Sequence, residues 1–294
     1  MTAHTGKGQG RRHGLLLAAP ALVLIFLFMF VPALISLTAS FFDVSLSRGI
    51  RLEWVGLDNY RFLFEDRDVL LSLRNTLVYS LLTIIPSLII GLGLAILASS
   101  LGRGRRCVQV LLFLPFAANL VAMAVVFRWI FALHGGFANE LLGVIGVAPI
   151  NFLGEEQYSL LTVAFVGIWR NTSLALIIFL SGLTSIPTAI HEACAADGLR
   201  GWHKLTSVTL PLLRPFTVFV VVMLILQAAQ VFDTIHVMTG GGPLSSSETV
   251  LTMVYRLGMQ QLKFGEAAAL STLLLITLIA IGIFRRRQLS GGTS

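Results

Sequence analysis

Apolar residues in this chain gather into long unbroken runs, not into the alternating or 3.6-residue stripes of a soluble domain. Roughly 20 apolar residues are needed to cross the hydrocarbon core of a bilayer. Six stretches have that length: 15–42, 75–101, 108–133, 158–183, 215–238 and 264–284. The pattern predicts an all-α membrane protein with six transmembrane helices in one domain, 15–287. A disordered, Gly-rich basic tail precedes it at 1–14, and a short C-terminal tail follows at 288–294. The first run exceeds the about 7–15 apolar residues of a secretory leader, so it reads as an uncleaved span. Pro32, Pro86 and Pro115 fall inside spans, where neighbouring helices can satisfy the freed carbonyls. The short alternating segments of a transmembrane barrel are missing.

Composition agrees with this reading. The 294 residues are 56% hydrophobic and 12% charged, with a mean hydropathy of +0.87, whereas soluble domains carry about 25% charge. The net charge of +7 is therefore not a nucleic-acid footprint, and its basic residues are better sorted by side of the membrane. With the N-terminus inside, the inner segments hold Lys7, Arg11 and Arg12; Arg103, Arg105 and Arg106; Arg200, Lys204 and Arg214; and Arg285–Arg287. The outer segments hold Arg48, Arg51, Arg61, Arg67, Arg74, Arg256 and Lys263. The bias favours N-in/C-in. In the first outer loop the arginines alternate with acids, which predicts a structured, solvated loop whose Trp54–Tyr60 stretch folds over the span ends. The outer loop 134–157 is expected to hold a short interfacial helix from Asn139, and Gly240–Gly242 a sharp reversal. Cys107 and Cys194 fall on the cytoplasmic side, where thiols stay reduced.

Polar groups inside the spans narrow the chemistry. Arg170 sits mid-way along the fourth run, and an arginine at a helix centre costs roughly 2.5–3.5 kcal/mol on insertion scales. It must face a polar cavity or form a structural ion pair, and Asp233 is a candidate partner. Asn171, Thr172 and Ser173 add hydrogen-bonding groups that suit hydroxyl-rich ligands, or serve as interhelical glue. Arg128, near a span end, can snorkel to the interface. Gln227, Gln230 and Asp233 recur every three residues, so they share one helical face. No phosphate-binding G-x-x-x-x-G-K-[ST], H-E-x-x-H or G-x-S-x-G occurs, so no catalytic site, no metal site and no ATPase site of its own is expected.

Between two apolar runs lies the polar loop 187–211. Thr188 is positioned to cap a helix over 188–197, Gly198 suits the left-handed position that ends it, and a second helical stretch over 200–208 should stop at Pro211. Ala193–Ala196 are small enough for another surface to approach the backbone, so the segment is a docking element or a solvated loop. The order Glu192-Ala193-Cys194, Gly198, Val208, Leu210-Pro211 resembles the cytoplasmic "EAA" coupling loop of permease subunits in bacterial binding-protein-dependent ABC importers. Cys194 and Val208 depart from the usual Ala and Ile. The likeness extends through Trp54–Tyr60, Asn75-Thr76-Leu77, Ser181–Pro187 and Phe232-Asp233 with Met238–Pro243, and is to the carbohydrate branch, near maltose and glycerol-phosphate permeases.

The resemblance implies an inner-membrane permease subunit that forms half of a pathway for a sugar or sugar-like solute, such as a glycerophosphodiester. It implies a second, homologous permease as heterodimer partner, two ATPase subunits that bind ATP and Mg, and an external solute-binding protein. Coupling to the ATPase would rest on Glu192, Ala193, Asp197, Gly198, Leu210 and Pro211. By register the solute contacts would be Gly167, Arg170, Asn171 and Leu174. In the next span they would fall at Leu224, Ala228 and Val231, which are apolar here, with Gln227 and Gln230 the polar groups nearby. An ion-coupled secondary transporter is the alternative; it would carry a coupling-ion site near the midplane.

Overall fold

A computed structural model describes residues 17–45, 51–102 and 105–290. The basic segment 1–14, Arg103 and the last residues of the C-terminal tail lie outside the described residues. The chain forms two compact units, one of residues up to 65 with 254–277, the other of 66–253 with the chain from 278 on.

The first unit contains the helix Leu17–Ala39, on which no residue is buried within the chain. Its Phe26–Phe30 turn is a wide i→i+5 turn, closed by the Val31 N–H on the Phe26 carbonyl. It includes the Phe28 carbonyl, which the Pro32 ring would strike in a regular helix. A two-stranded antiparallel hairpin follows, Phe42–Ser45 with Arg51–Trp54, then the helix Asp58–Glu65. The hairpin departs from an all-helical expectation. It realises the structured first loop that the mixed charges predicted.

The second unit is built on two long helices, Arg67–Ser100 and Glu156–Ser185. Asn75, Tyr79, Thr83, Ser87, Gly91 and Ala95 recur every four residues on the buried face of the first. Small residues let the backbones approach. A Cβ on Gly91 would lie 2.6 Å from that of Ala175 and 3.2 Å from the Thr172 carbonyl, and one on Gly167 would run into the Tyr79 hydroxyl. Such small-residue contacts are the usual route to tight packing in lipid, where no hydrophobic force draws helices together. Two apolar clusters flank this pair. One includes Tyr79, Met123, Val163, Ala228 and Ile235; the other Leu174, Phe179, Leu213 and Leu224.

Several boundaries differ from expectation. The Arg67–Ser100 helix begins well before 75, because Asp66 caps it by accepting from the Val69 N–H at 2.9 Å. The run 108–133 is not one rod. Arg105–Ala117 and Leu120–Ile130 meet at 92°, where Asn119 caps the second helix through the Ala122 N–H. Pro115, two residues from the end of the first, removes a donor there. The run 215–238 is also broken, into Arg214–Ala229 and Asp233–Met238. Among the described residues, four helices are long and apolar enough to cross a membrane, or up to six if each bent pair is one span. The short helix expected from Asn139 is Phe137–Val144, and Asn139 ties it to the Ala132 and Ile150 carbonyls.

Candidate functional site

The break in the 214–238 segment creates the polar centre of the second unit. Gln230 and Phe232 leave helical geometry (φ −105°, ψ 17° and φ −135°, ψ −63°) without any glycine or proline. The freed Val231 carbonyl is met by the buried Thr249 hydroxyl at 3.2 Å. Broken membrane helices are tolerated where such partners or a cavity satisfy the backbone. The break turns Asp233 into the first residue of a short helix.

Around it lies a small cavity of about 50 Å³, lined by Tyr79, Gly167, Arg170, Asn171, Gln227, Gln230 and Asp233, with Leu120, Met123, Val231, Phe232 and Thr234 completing the wall. Five of the six residues expected on a solute pathway are therefore brought together: Gly167, Arg170, Asn171, Gln227 and Gln230. The sixth, Leu174, packs in the apolar cluster with Phe179 and Leu224. Val231 lines the cavity, while Leu224 and Ala228 are core residues.

Arg170 is half-buried, its guanidinium carbon 4.8 Å from the centre of the Phe116 ring. Its Nε has no hydrogen-bond partner among the described residues. Asp233 faces the same cavity within electrostatic reach, but no ion pair joins the two. A structural Arg170–Asp233 pair is thus not formed here. Tyr79, Phe116 and Thr234 are not singled out by the sequence, and Phe232 is marked there only as part of the Phe232-Asp233 likeness. The four-residue recurrence of Asn75, Tyr79, Thr83 and Ser87 on one buried face is the signal that could have found Tyr79.

The wall beyond Asp233 is fixed by an extended turn. Gly240 and Gly241 take positive φ (64° and 87°), as the triple glycine predicted. Asn75 donates to the Ser245 and Glu248 carbonyls, Ser159 bonds Ser246, and the Val250 N–H donates to Thr76. The turn is thereby pinned to both long helices.

The loop after the Glu156–Ser185 helix forms a second, exposed feature. Its helix is Thr188–Ala196, with Pro187 at the N-cap and no side-chain cap, so Thr188 does not cap it. At the other end the Leu199 N–H bonds the Cys194 carbonyl (2.8 Å) and the Gly198 N–H the Ala195 carbonyl (3.2 Å), with Gly198 at φ 72°. This is a Schellman motif, and it explains the glycine. Glu192, Ala193, Asp197, Gly198 and Pro211 are exposed, Leu210 is half-buried and Cys194 is buried. The second helix does not stop at Pro211. It runs Gly201–Leu212 and meets Arg214–Ala229 at 69°. An i→i+5 turn at Leu205–Thr209 opens the backbone around the Ser207 carbonyl, where the Pro211 ring would otherwise strike. Among the described residues no His, Cys, Asp and Glu cluster could hold a metal ion.

A family model of binding-protein-dependent transport system inner membrane components matches residues 87–289. The sulfoquinovosyl glycerol transport system permease protein of Agrobacterium fabrum is 30% identical over 93% of this chain and 90% of its own length. The sn-glycerol-3-phosphate transport system permease protein of the same organism is 32% identical over 92% of each. A bacterial alginate ABC transporter, solved in complex with an alginate pentasaccharide-bound periplasmic protein, contains a chain of the same fold. That chain superposes with a TM-score of 0.81 over 94% of this chain and 93% of its own, at 23% identity.

Proposed function

The chain belongs to the family of binding-protein-dependent transport system inner membrane components, and on that footing we propose that it forms half of the translocation pathway of an ATP-driven importer for a sugar or a sugar-like, glycerol-linked solute. The observation that carries the solute class is the cavity. It sets a guanidinium, a carboxylate, three carboxamides and a phenol around one space at the break of a membrane helix. Hydroxyl-rich solutes need donors and acceptors in this density, and Arg170 with its unpartnered Nε can also take an anionic substituent.

The chain crosses the bacterial inner membrane several times, with both ends and the 187–211 loop in the cytoplasm. It pairs with a second, homologous permease, receives solute from an external binding protein and sits on two ATPase subunits. Hydrolysis belongs to those subunits, which bind ATP and Mg. The exposed Thr188–Ala196 helix inserts into a cleft of the ATPase through Glu192, Ala193, Asp197 and Gly198, and Leu210 and Pro211 hold the return segment. Closure of the ATPase pair then moves this helix, and through the buried Leu213 hinge the Arg214–Ala229 helix that carries Gln227 into the cavity wall. The test is ATPase stimulation in the purified complex. Solute-loaded binding protein should raise hydrolysis several-fold, and hydrolysis indifferent to that protein in an intact complex would refute the assignment.

A further inference from the structure

The first unit offers an apolar surface that import chemistry does not use. The Leu17–Ala39 helix has 23 residues, a length of about 34 Å at about 1.5 Å per residue. The hydrocarbon core is about 30 Å thick, which these described residues alone can span, and the apolar run gives way to Ser40 and Asp43, which places Ala39 near a lipid–water boundary. The next residues build a rigid aromatic collar there. Trp54 stacks on Phe41 at 5.7 Å and meets Phe42 edge-on at 5.1 Å, while Tyr60 packs on Phe41 at 5.6 Å. Tyr60 bonds Ser40 at 2.7 Å, and the Asn59 amide donates to the Ser40 and Phe42 carbonyls, both at 2.9 Å. Hairpin and Asp58–Glu65 helix are thereby locked to the end of the Leu17–Ala39 helix.

The register makes the hairpin two-faced. Phe42 opposes Trp54 and Val44 opposes Leu52, so these four share one face, while Asp43 opposes Glu53 on the other. A two-stranded ribbon is marginal in water on its own. Yet Leu52 is 72% and Trp54 64% exposed, and Leu57, just before the Asp58–Glu65 helix, and Phe64, seven residues on within it, are exposed too. An apolar ribbon face held at the depth where a membrane helix ends has one medium that fits it. We propose that Leu52, Trp54, Leu57 and Phe64 form an interfacial anchor, seated in the headgroup–acyl boundary of the leaflet at which the first helix emerges. Asp43 and Glu53 face water. Trp54 acts as the belt residue that fixes the depth of the collar, as amphipathic aromatic rings do at bilayer surfaces. This rests on the first helix spanning the bilayer and not on the import reading, so either can fail alone.

The experiment places nitroxide labels by L52C, L57C and F64C, with D43C as control. The full chain is used in its assembled complex, with Cys107, Cys194 and other reactive cysteines removed, in phosphatidylethanolamine/phosphatidylglycerol vesicles. Collisions with oxygen should exceed those with a water-soluble nickel chelate at 52, 57 and 64, and the order should reverse at 43. Trp54→Ala should lower the oxygen-to-nickel ratio at 52 at least twofold, and Trp54→Phe should largely restore it. Nickel-accessible labels at all of 52, 57 and 64 would overturn the proposal. So would labels that are open to nickel until the solute-binding protein is added, which would make the face a protein dock.

Discussion

Replacing Arg170 by Met separates a solute-facing arginine from a structural one. In the structure the guanidinium makes no ion pair, and its Nε is buried without a partner among the described residues. Removing the charge relieves a burial cost of roughly 2.5–3.5 kcal/mol on insertion scales. The stacking on Phe116 that is lost counts for about 0.5–2 kcal/mol, and a methionine thioether on the same ring returns about 0.3–1.5 kcal/mol. These figures sum to a net stabilisation of about 1–4 kcal/mol as an upper bound, since Arg170 lines a polar cavity and does not pay the full insertion cost, so complex yield and thermal stability should be no lower than wild type. Function should not. A hydrogen bond to a charged group contributes about 1.5–3 kcal/mol, so its loss from a bound solute corresponds to a fall of ~10-fold or more in uptake. The assay measures both quantities, assembled complex by size-exclusion chromatography and solute accumulation in proteoliposomes. If instead the complex is lost, and Asp233→Asn in the same chain restores it, then the two residues form a buried pair in the working protein. Stranding one member of such a pair costs about 3–5 kcal/mol, and the cavity argument would be wrong.

Gly91→Leu should destabilise the subunit by about 1–3 kcal/mol by overpacking, because its Cβ would meet Ala175 at 2.6 Å with backbone of the same helix close behind. An unchanged unfolding midpoint of the detergent-purified chain would show that the two long helices are not in this contact. Gly198→Asp should leave the chain folded, since nothing lies within 4 Å of its added Cβ. The left-handed φ adds a cost of about 1–2 kcal/mol at most, and Asp is among the residues that tolerate it. Binding-protein-stimulated hydrolysis should nevertheless be lost, and full stimulation would show that the loop is not the coupling element. Ser207→Cys, in a background without Cys107 and Cys194, should resist membrane-impermeant thiol reagents in intact cells, and ready labelling from outside would reverse the topology.

Long-range order was largely readable from the chain because lipid imposes one rule on every span. Each run of sufficient length must satisfy its backbone as a helix, and Arg67–Ser100, Glu156–Ser185 and Phe264–Ser290 are single helices that differ from the expected 75–101, 158–183 and 264–284 mainly at their ends. The 66–74 stretch reads as loop from its charges at Arg67, Asp68 and Arg74, whereas in the structure Asp66 is a helix cap. Breaks were harder. The bend at 118–119 has a cue in Asn119 and Pro115, but nothing in the local propensity of Gln230–Phe232 marks a break. That break is stabilised from far along the chain, by Thr249 on the Val231 carbonyl. The candidate site was legible to the extent that burial of charge is costly: Arg170, Gln227 and Gln230 stood out as polar groups in apolar runs. Tyr79 and Phe116 did not, because an aromatic residue in a span is ordinary until a guanidinium or a cavity is placed beside it.

The claim that this chain is one half of an ATP-driven import pathway is tested most directly by solute accumulation in proteoliposomes. The vesicles would hold the assembled complex, with binding protein and labelled solute outside and ATP inside. Accumulation that requires both internal ATP and the external binding protein, and that persists when proton and sodium gradients are collapsed, is the predicted result. Uptake that proceeds without ATP and disappears with those gradients would contradict it, and would make the chain an ion-coupled carrier.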